Sequence, residues 1–265
     1  MPETTQGAVR AVKTGAVGWM VFDSPAKLNA LSGEMVLQGL AVLDDLERDA
    51  GVSVIVLRGA GEKAFISGAD VSTFEATRVG AGAEAEYQKK PAEFRARLAS
   101  CPKPVIAMIH GYCLGGGLSI ALCADLRFAA DTCQLGVPAA QRAIVYPLEG
   151  LARLVEVVGP SVAKDLAMSA RRVGHEEALR LGLVNRVFNP EELERETIAY
   201  AQTLAANAPL SVRAAKYFIN QLGLEKAERD EAAMTKMQLA AADSEDFKEA
   251  TRAFMEKRKP VFRGA

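Results

Sequence analysis

The chain has 265 residues, of which 49% are hydrophobic and 25% charged, which is typical of a globular protein with one large domain, or one domain with a helical appendix. Its formal net charge of −1 and the lack of a basic run before the C-terminus argue against a nucleic-acid partner. The first residues lack the basic and apolar segments of a secretion signal, and no uncharged apolar run is long enough to span a bilayer, so we expect a cytoplasmic protein with no membrane partner.

The cysteines and histidines form no pattern that predicts a disulfide or a metal site. No two cysteines have C-x-x-C spacing, and there are only two histidines. Three of the cysteines lie in or beside apolar runs, so we expect buried, reduced thiols and no bound metal. The residues concerned are Cys101, Cys113, Cys123, Cys133, His110 and His175.

The N-terminal part predicts a strand, strand, helix, strand order. Val9–Val12 and Val17–Phe22 are short strands of a hairpin. From Gly33 to Ala50 the apolar residues share one helical face, and Ser32 is a suitable N-cap. Val54–Leu57 is a continuous apolar run, typical of a strand buried on both faces. This order implies a right-handed crossover and a parallel strand pair.

The next segment is punctuated by glycine. We expect a loop over Gly59–Asp70 and a mobile flap or short helix over Val71–Glu86. Pro91 suits the first turn of a helix that runs to Ser100. Leu126–Ala129 and Gln134–Val137 are candidate short strands, so the N-terminal part repeats a strand, strand, helix rhythm.

After Leu148 the pattern becomes helical. Asn189 as cap and Pro190 at the first helical position predict a helix start, and Pro209 opens another helix. The charged, Ala-rich stretch 224–254 has too few apolar residues for a core of its own. It packs on the main domain or on a neighbouring subunit, although a closed small bundle is the alternative. The basic run Lys257–Arg263 is either a solvated terminus or a clamp for phosphate groups.

One stretch organises the chain, from His110 to Asp125. The apolar run Val105–Ile109 leads into three glycines at 115–117, and the run Leu118–Ala124 suits a buried helix. Glycine lets a ligand approach the backbone, and free N–H groups at a helix start can hold an oxygen that gains negative charge. The spacing fits neither a P-loop nor a dinucleotide-binding motif. The alternative is a simple close packing contact.

A second stretch, Lys63–Asp70, places the small residues Gly68 and Ala69 after an apolar pair. Either residue could present a backbone N–H to the oxygen that faces Gly116, and two such donors from different segments would make an oxyanion hole. The alternative is an ordinary turn in which Asp70 caps the next segment of the chain.

With both stretches in hand, the sequence resembles the crotonase superfamily, the enoyl-CoA hydratase/isomerase family. The matching motifs are Pro25-x-Lys27-Leu28-Asn29-Ala30-Leu31, Ala64-Phe65-x-x-Gly68-Ala69-Asp70, His110-Gly111-Tyr112-x-Leu114-Gly115-Gly116-Gly117, Ala178-x-x-Leu181-Gly182-Leu183-Val184 and Glu256-Lys257-Arg258. The resemblance implies an α/β fold with a spiral of ββα repeats over 1–199, followed by a C-terminal helical region over 200–265 used in trimerisation, often as a dimer of trimers. It also implies an acyl-CoA thioester as substrate, with no further cofactor.

The resemblance assigns roles to individual positions. Ala69 and Gly116 match the residues whose backbone N–H groups polarise the thioester carbonyl in an oxyanion hole. Other positions match the binding site for CoA and its acyl group, and the basic tail gains a place beside the CoA phosphates. These positions are Ala26, Lys27, Leu28, Ser67, Gly68, Asp70, Gly115, Ala139 and Lys257.

The sequence departs from the family at the acid/base positions. Hydratases of this family use two glutamates, and the matching positions here are Ser119 and Ala139. Hydration across a double bond needs two such carboxylates, and a serine without a partner is a poor base. Tyr146, with Ser119 or Glu149, is the hypothesised group that positions a water or a proton. The alternative is a core tyrosine with a satisfied hydroxyl. Gln141 and Arg142 are the other polar side chains nearby.

The sequence therefore predicts an acyl-CoA enzyme labelled enoyl-CoA hydratase or isomerase, a lyase-type reaction on a thioester enolate. Two alternatives stay open. The first keeps the fold and changes the reaction to decarboxylation, thioester hydrolysis or C–C cleavage. The second is a non-catalytic acyl-CoA-binding protein, because family membership does not by itself set the chemistry.

Overall fold

The computed structural model describes residues 7–74, 78 and 80–265. The strands in these residues are β1 Ala8–Thr14, β2 Val17–Asp23, β3 Val54–Gly59, β4 Ala64–Ile66, β5 Val105–Ile109, β6 Tyr112–Leu114, β7 Leu126–Ala130, β8 Gln134–Gly136, β9 Arg172–Gly174 and β10 Arg186–Phe188. The helices are α1 Gly33–Arg48, α2 Ala81–Ala99, α3 Gly116–Ala121, α4 Leu148–Ser169, α5 His175–Arg180, α6 Pro190–Ala205, α7 Pro209–Leu222, α8 Glu231–Ala242 and α9 Glu245–Met255.

The strands form two sheets, and from β3 to β8 successive strands alternate between them. The larger sheet has the order β1-β2-β3-β5-β7-β10, and the smaller has the order β4-β6-β8-β9. In the larger sheet β1 and β2 are the antiparallel hairpin, and the other neighbours are parallel. Three times in succession the chain adds one strand to each sheet and then a helix, as β3-β4-α2, β5-β6-α3 and β7-β8-α4. This is the predicted ββα repeat.

The central strands of the larger sheet are buried on both faces, as their continuous apolar runs predict. Every residue of β5 is buried, and β3 is buried apart from Arg58. Helix α1 covers one face with Val36, Leu43 and Leu46, which are buried. The predicted cap is present, because Ser32 Oγ accepts a hydrogen bond from the Met35 amide at 3.2 Å.

Two strands lie where the sequence analysis did not place them. The segment predicted as loop, Gly59–Asp70, contains β4, and β6 lies between the predicted strand β5 and the glycine turn. Each has three residues, which is too short to show a period in the sequence. They form because they pair with each other in parallel, with Ala64 opposite Tyr112 and Ile66 opposite Cys113.

The prediction for Pro91 is wrong. Helix α2 begins at Ala81, so Pro91 lies in its interior and not in its first turn. The lost backbone hydrogen bond is offset by burial of Phe94 and Leu98, and the Phe94 ring packs against Gly39 of α1. Of the flap or short helix predicted before it, Val71–Thr73 forms a 3-10 turn, and positions 75–77 and 79 lie outside the described residues.

The C-terminal part is helical, as predicted. Helix α6 begins at Pro190, but the Asn189 side chain makes no capping bond to the backbone, and its Nδ2 donates to Glu192 at 3.4 Å. The predicted boundary at 199/200 falls inside α6, whose Leu193 and Ala201 are buried against the larger sheet. Helices α7, α8 and α9 follow, with a break before Ser244, which caps α9.

Over the part of the chain that the structure describes, no helix is both long enough and apolar enough to cross a bilayer. Within the same residues, no group of three or more His, Cys, Asp or Glu side chains is arranged to hold a metal ion. All four cysteines are buried and free. Burial raises the pKa of the Cys101 and Cys123 thiols to about 11, so both stay protonated near neutral pH.

Candidate functional site

A cavity of about 710 Å³ lies where the turns after several strands meet helix α2. Four segments contribute most of its lining. They are the turn after β2, the loop after β4, the turn from β6 into α3, and residues 138–147 after β8. Chain segments far apart in the sequence therefore face one space.

Two backbone segments far apart in the sequence come close together in this cavity, at Ala69 and Gly116. On one side, the Leu31 amide donates to Gly68 O at 2.8 Å and the Asp70 amide donates to Leu31 O at 2.7 Å. These bonds flank Ala69 in a parallel bridge, so the Ala69 N–H points away from Leu31. On the other side, a Cβ added to Gly116 would lie 3.7 Å from the Ala69 nitrogen.

Neither of these amides is occupied by another described residue. No acceptor among those residues bonds to the N–H of Ala69 or of Gly116. The Gly115 amide is used, since it donates to Gly136 O at 2.9 Å, and Gly115 has a φ of 50° that turns the chain into α3. We name Gly68–Ala69 and Gly115–Gly116 together the backbone wall of the cavity.

Each of the three glycines of the turn is required for a different physical reason. Gly115 needs its positive φ, and Gly116 faces the gap. Gly117 needs space, because a Cβ there would lie 2.1 Å from Ile66 O of β4. The packing contact that was the alternative explanation of the triplet therefore applies to Gly117 and not to Gly116.

At the mouth, Lys27 and Asp70 form an ion pair with 2.8 Å between Nζ and Oδ2. Asp70 also accepts from the Ser72 amide at 3.1 Å, as expected for a capping residue. Burial raises the pKa of Asp70, but hydrogen bonds from Lys27 and Ser72 together outweigh it and hold the pKa below its usual value. Both side chains line the cavity.

Another part of the cavity lining is made by side chains, and we name it the side-chain wall. Its members are Arg95, Ser119, Ala139 and Tyr146. Ser119 is 2% exposed, and no described residue bonds to its Oγ. The Tyr146 hydroxyl donates to Gly115 O at 2.7 Å, which ties this wall to the other.

Tyr146 is held in its protonated form. Burial raises its pKa far above the usual value, and the nearby Ser119 hydroxyl and Arg95 guanidinium oppose that shift only in part. A tyrosine in this state is not a base near neutral pH. Its hydroxyl is satisfied by Gly115, as in the alternative that the sequence left open, although the side chain does line the cavity.

The structure brings together most of the residues that the sequence singled out. The cavity is lined by Lys27, Leu28, Ser67, Gly68, Ala69, Asp70, Gly115, Gly116, Ser119, Ala139, Arg142 and Tyr146. Ala26 and Lys257 are not among the described lining residues, and Lys257 lies on the exposed C-terminal segment. Gln141 donates to Ala170 O, at 3.5 Å. Glu149 does not line the cavity, and its side chain is 64% exposed.

Sequence reasoning missed Arg95, which lies on the buried face of α2. The signal was present in the spacing. Positions 91, 94, 95 and 98 share one helical face, and Phe94 and Leu98 on that face are apolar. A charged residue in an apolar stripe stands out, and all four positions lie within the helix predicted from Pro91 to Ser100.

The sequence and the fold are similar to those of named proteins. The enoyl-CoA hydratase/isomerase family model matches residues 13–265. The short-chain-enoyl-CoA hydratase of Clostridium acetobutylicum is 35% identical over 255 residues, covering 93% of this chain and 94% of that protein. The carnitinyl-CoA dehydratase of Escherichia coli is 32% identical over 261 residues, covering 97% of this chain and 98% of that protein. The crystal structure of an enoyl-CoA hydratase/carnithine racemase from Magnetospirillum magneticum superposes with a TM-score of 0.93 at 33% identity, covering 98% of this chain and 97% of that one.

Proposed function

The chain belongs to the enoyl-CoA hydratase/isomerase family, and we propose that it is an enzyme that stabilises the enolate of an acyl-CoA thioester in an oxyanion hole. The donors of that hole are the N–H groups of Ala69 and Gly116. One observation carries the proposal. Two amides from separate segments face one gap, and neither bonds to another described residue.

The physical basis is the charge that develops on the thioester oxygen. When a proton or another group leaves the carbon next to the carbonyl, negative charge moves onto that oxygen. Fixed N–H dipoles that already point at it need no rearrangement, and each is worth about 3 kcal/mol of transition-state stabilisation. Since the two amides supply this stabilisation themselves, the CoA thioester can react without a further cofactor.

The CoA part of the substrate is proposed to lie along the mouth, near Ala26, Lys27, Leu28 and Ser67. Lys27 supports this because its ammonium sits at the mouth and its side chain is 53% exposed. Lys257 does not line the cavity of its own chain, so its proposed contact with the CoA phosphates requires a neighbouring subunit.

A homotrimer, or a dimer of trimers, is the proposed assembly. The C-terminal helices α7–α9 and the segment around them leave large apolar side chains exposed, which is typical of a surface that a partner covers. These side chains are Ile219, Leu222, Leu224, Leu239, Phe247, Phe254 and Met255. The buried, protonated thiols fit the proposed cytoplasmic location.

The reaction is proposed to differ from hydration by a pair of glutamates. Ser119 and Ala139 occupy the two matching positions, and Asp70 is the only carboxylate among the described residues that line the cavity. Asp70 is bound to Lys27 and Ser72 at the mouth. These observations favour a second candidate, a reaction that relies on the oxyanion hole, such as decarboxylation, thioester hydrolysis or C–C cleavage.

Turnover and binding of CoA thioesters test the proposal. The purified protein is incubated with crotonyl-CoA and with a panel of saturated and carboxylated acyl-CoAs, and products are identified by mass spectrometry while binding is measured by calorimetry. We expect turnover of at least one thioester. Rapid crotonyl-CoA hydration would contradict the proposed departure from hydratase chemistry. Binding without any turnover would indicate an acyl-CoA-binding protein, and no binding would contradict the proposal altogether.

A further inference from the structure

Arg95 is a buried cation that no described residue satisfies. Its side chain is 9% exposed and lines the cavity. Its Nε and Nη2 atoms are sealed from solvent and have no hydrogen-bond partner among the described residues. Leaving a buried charged donor unpaired costs several kcal/mol, so a native protein keeps one only where something else completes it.

A second buried arginine shows how this chain treats a structural guanidinium. Arg127 is 5% exposed, and its Nε donates to Leu183 O at 2.8 Å while its Nη1 donates to Ala124 O at 3.0 Å. Arg127 is therefore satisfied by backbone carbonyls inside the fold. Arg95 has similar burial but none of these bonds to described residues, and it faces the cavity.

Glu149 does not supply the missing hydrogen-bond acceptor for Arg95. Its Oε2 lies 3.8 Å from Arg95 Nη2, beyond hydrogen-bond distance, and its side chain is 64% exposed. An exposed carboxylate in this geometry contributes little. The other unsatisfied polar atom on the side-chain wall is Ser119 Oγ, which is also a donor and is also buried. Arg95 therefore lacks an acceptor among the described residues, and the Ser119 hydroxyl has only the Tyr146 hydroxyl nearby.

We propose that the acyl group bound here carries a second carboxylate, and that Arg95, with Ser119, binds it. This rests on the proposed function and names its substrate class. A planar guanidinium matches a carboxylate in charge and shape. Once the Arg95 side chain turns its buried Nε and Nη2 edge toward the cavity, it can form paired hydrogen bonds with that carboxylate. The substrate is thus the CoA thioester of a dicarboxylic acid.

The position of Ser119 limits the length of that acid. Ser119 lies three residues after Gly116 in α3, and residues at this spacing share a helix face with about 5–6 Å between Cβ atoms. If the thioester oxygen sits at Gly116, a carboxylate at Ser119 and Arg95 is only a few carbons away. The acyl group is therefore a short one.

Matched pairs of thioesters test this by calorimetry on the full-length protein. Succinyl-CoA is compared with butyryl-CoA, and glutaryl-CoA with pentanoyl-CoA, because each pair differs by a terminal carboxylate in place of a methyl group. We expect the carboxylated member of at least one pair to bind about 10- to 100-fold more tightly, which is the value of hydrogen bonds to a charged group. Arg95→Met removes this preference while the affinity for butyryl-CoA stays within about threefold, and Arg95→Lys keeps part of it.

Arg97→Met is the matched control, because Arg97 lies on the same helix, pairs with Asp44 and Glu47, and does not line the cavity. It should leave both affinities unchanged. Equal wild-type affinity within both pairs overturns this inference and leaves the proposed function standing. Absence of binding by all four thioesters overturns both. An equal loss for both members of a pair in folded Arg95→Met and Arg95→Lys would show that Arg95 only maintains the cavity. The wild-type comparison decides the outcome if the variants do not fold.

Discussion

The backbone wall and the side-chain wall face the same cavity, but they depend on the amino-acid sequence in different ways. In the proposed function, the working groups of the backbone wall are the N–H groups of Ala69 and Gly116, and the sequence only has to keep those positions small and correctly turned. On the side-chain wall the functional groups belong to the side chains themselves, such as Arg95 and Ser119, so each substitution changes which groups face the cavity. On the proposed function, the backbone wall determines which kind of intermediate is stabilised. The side-chain wall then determines which acyl group binds and how it reacts.

The largest expected effect comes from deleting one donor of the backbone wall. Gly116→Pro removes the N–H at the first position of α3, a position where proline suits a helix. We expect kcat/KM for the true substrate to fall about 100- to 1000-fold, since one oxyanion donor is worth about 3–4 kcal/mol. Steady-state kinetics measure this.

Gly116→Ala is its control. It adds a Cβ as proline does, at 3.7 Å from Ala69 N, but it keeps the N–H. The difference between the two variants therefore reports the lost donor and not the added carbon. Equal activities in two folded variants, checked by circular dichroism, would contradict the assignment of Gly116.

A substitution at Gly117 tests the packing of α3 on β4, independently of the N–H groups of the backbone wall. Gly117→Ala puts a Cβ 2.1 Å from Ile66 O, so α3 must move away from β4. We expect unfolding to become easier by about 2–3 kcal/mol, the usual cost of overpacking. Thermal denaturation should show a lower Tm. Gly33→Ala has no atom within 4 Å of its new Cβ and should leave the Tm nearly unchanged. Equal Tm values for the two variants would show that α3 does not rest on β4 as described.

A smaller effect is expected where the two walls touch. Tyr146→Phe removes the hydroxyl that donates to Gly115 O, which loosens the turn that presents Gly116. We propose that Tyr146 is a positioning residue, and the loss of one hydrogen bond should lower kcat about 3- to 10-fold with KM unchanged. The wild-type pH profile should show no ionisation of Tyr146 near neutral pH, because burial keeps its pKa high.

Tyr200→Phe serves as the control for that variant, since Tyr200 packs on Phe128 outside the cavity. If Tyr146→Phe leaves turnover of the true substrate unchanged, both the positioning role and the proton-handling hypothesis for Tyr146 fail. A fall in kcat with a new pH dependence would instead favour the hypothesis that Tyr146 handles a proton.

The smallest expected effect is that of His110, which lies outside both walls, and it concerns stability alone. His110 is 6% exposed, and burial, followed by the charge of Arg58, lowers its pKa below 6.5. The unfolded chain therefore takes up this proton first as the pH falls. The stability from neutral His110 is complete above pH 6.5 and is lost below it, by up to about 1.4 kcal/mol per pH unit.

Urea denaturation at a series of pH values measures that slope. His110→Gln should flatten this slope. A wild-type stability that rises on acidification through this range would contradict the sign derived from burial.

The sequence predicted the fold and the backbone wall for physical reasons. The crotonase-like α/β fold and the C-terminal helices are confirmed by the family match and by solved structures that superpose over nearly the whole chain. The glycine triplet at 115–117 was informative because few other residues could occupy these positions. The backbone conformation at Gly115 and the space at Gly117 both exclude a side chain.

The side-chain wall was harder to predict because its members come from segments without a shared period. Arg95 lies within the helix predicted from Pro91 to Ser100, but the sequence alone does not show that this position is buried beside the cavity. Ser119 and Ala139 were found only as departures from the family pattern. Short strands such as β4 and β6 form through their partners, so three residues alone give no signal.

The hydrogen bond from Tyr146 to Gly115 joins positions 31 residues apart and crosses from one repeat of the spiral to the next. Replacing the segment around residue 146 with that of a relative, in order to change the acyl preference, could at the same time remove the hydrogen bond that holds the turn at Gly115. Chimeras of this kind should take both segments from the same parent. Otherwise a fall in kcat caused by the disturbed turn at Gly115 would be attributed to the segment around residue 146.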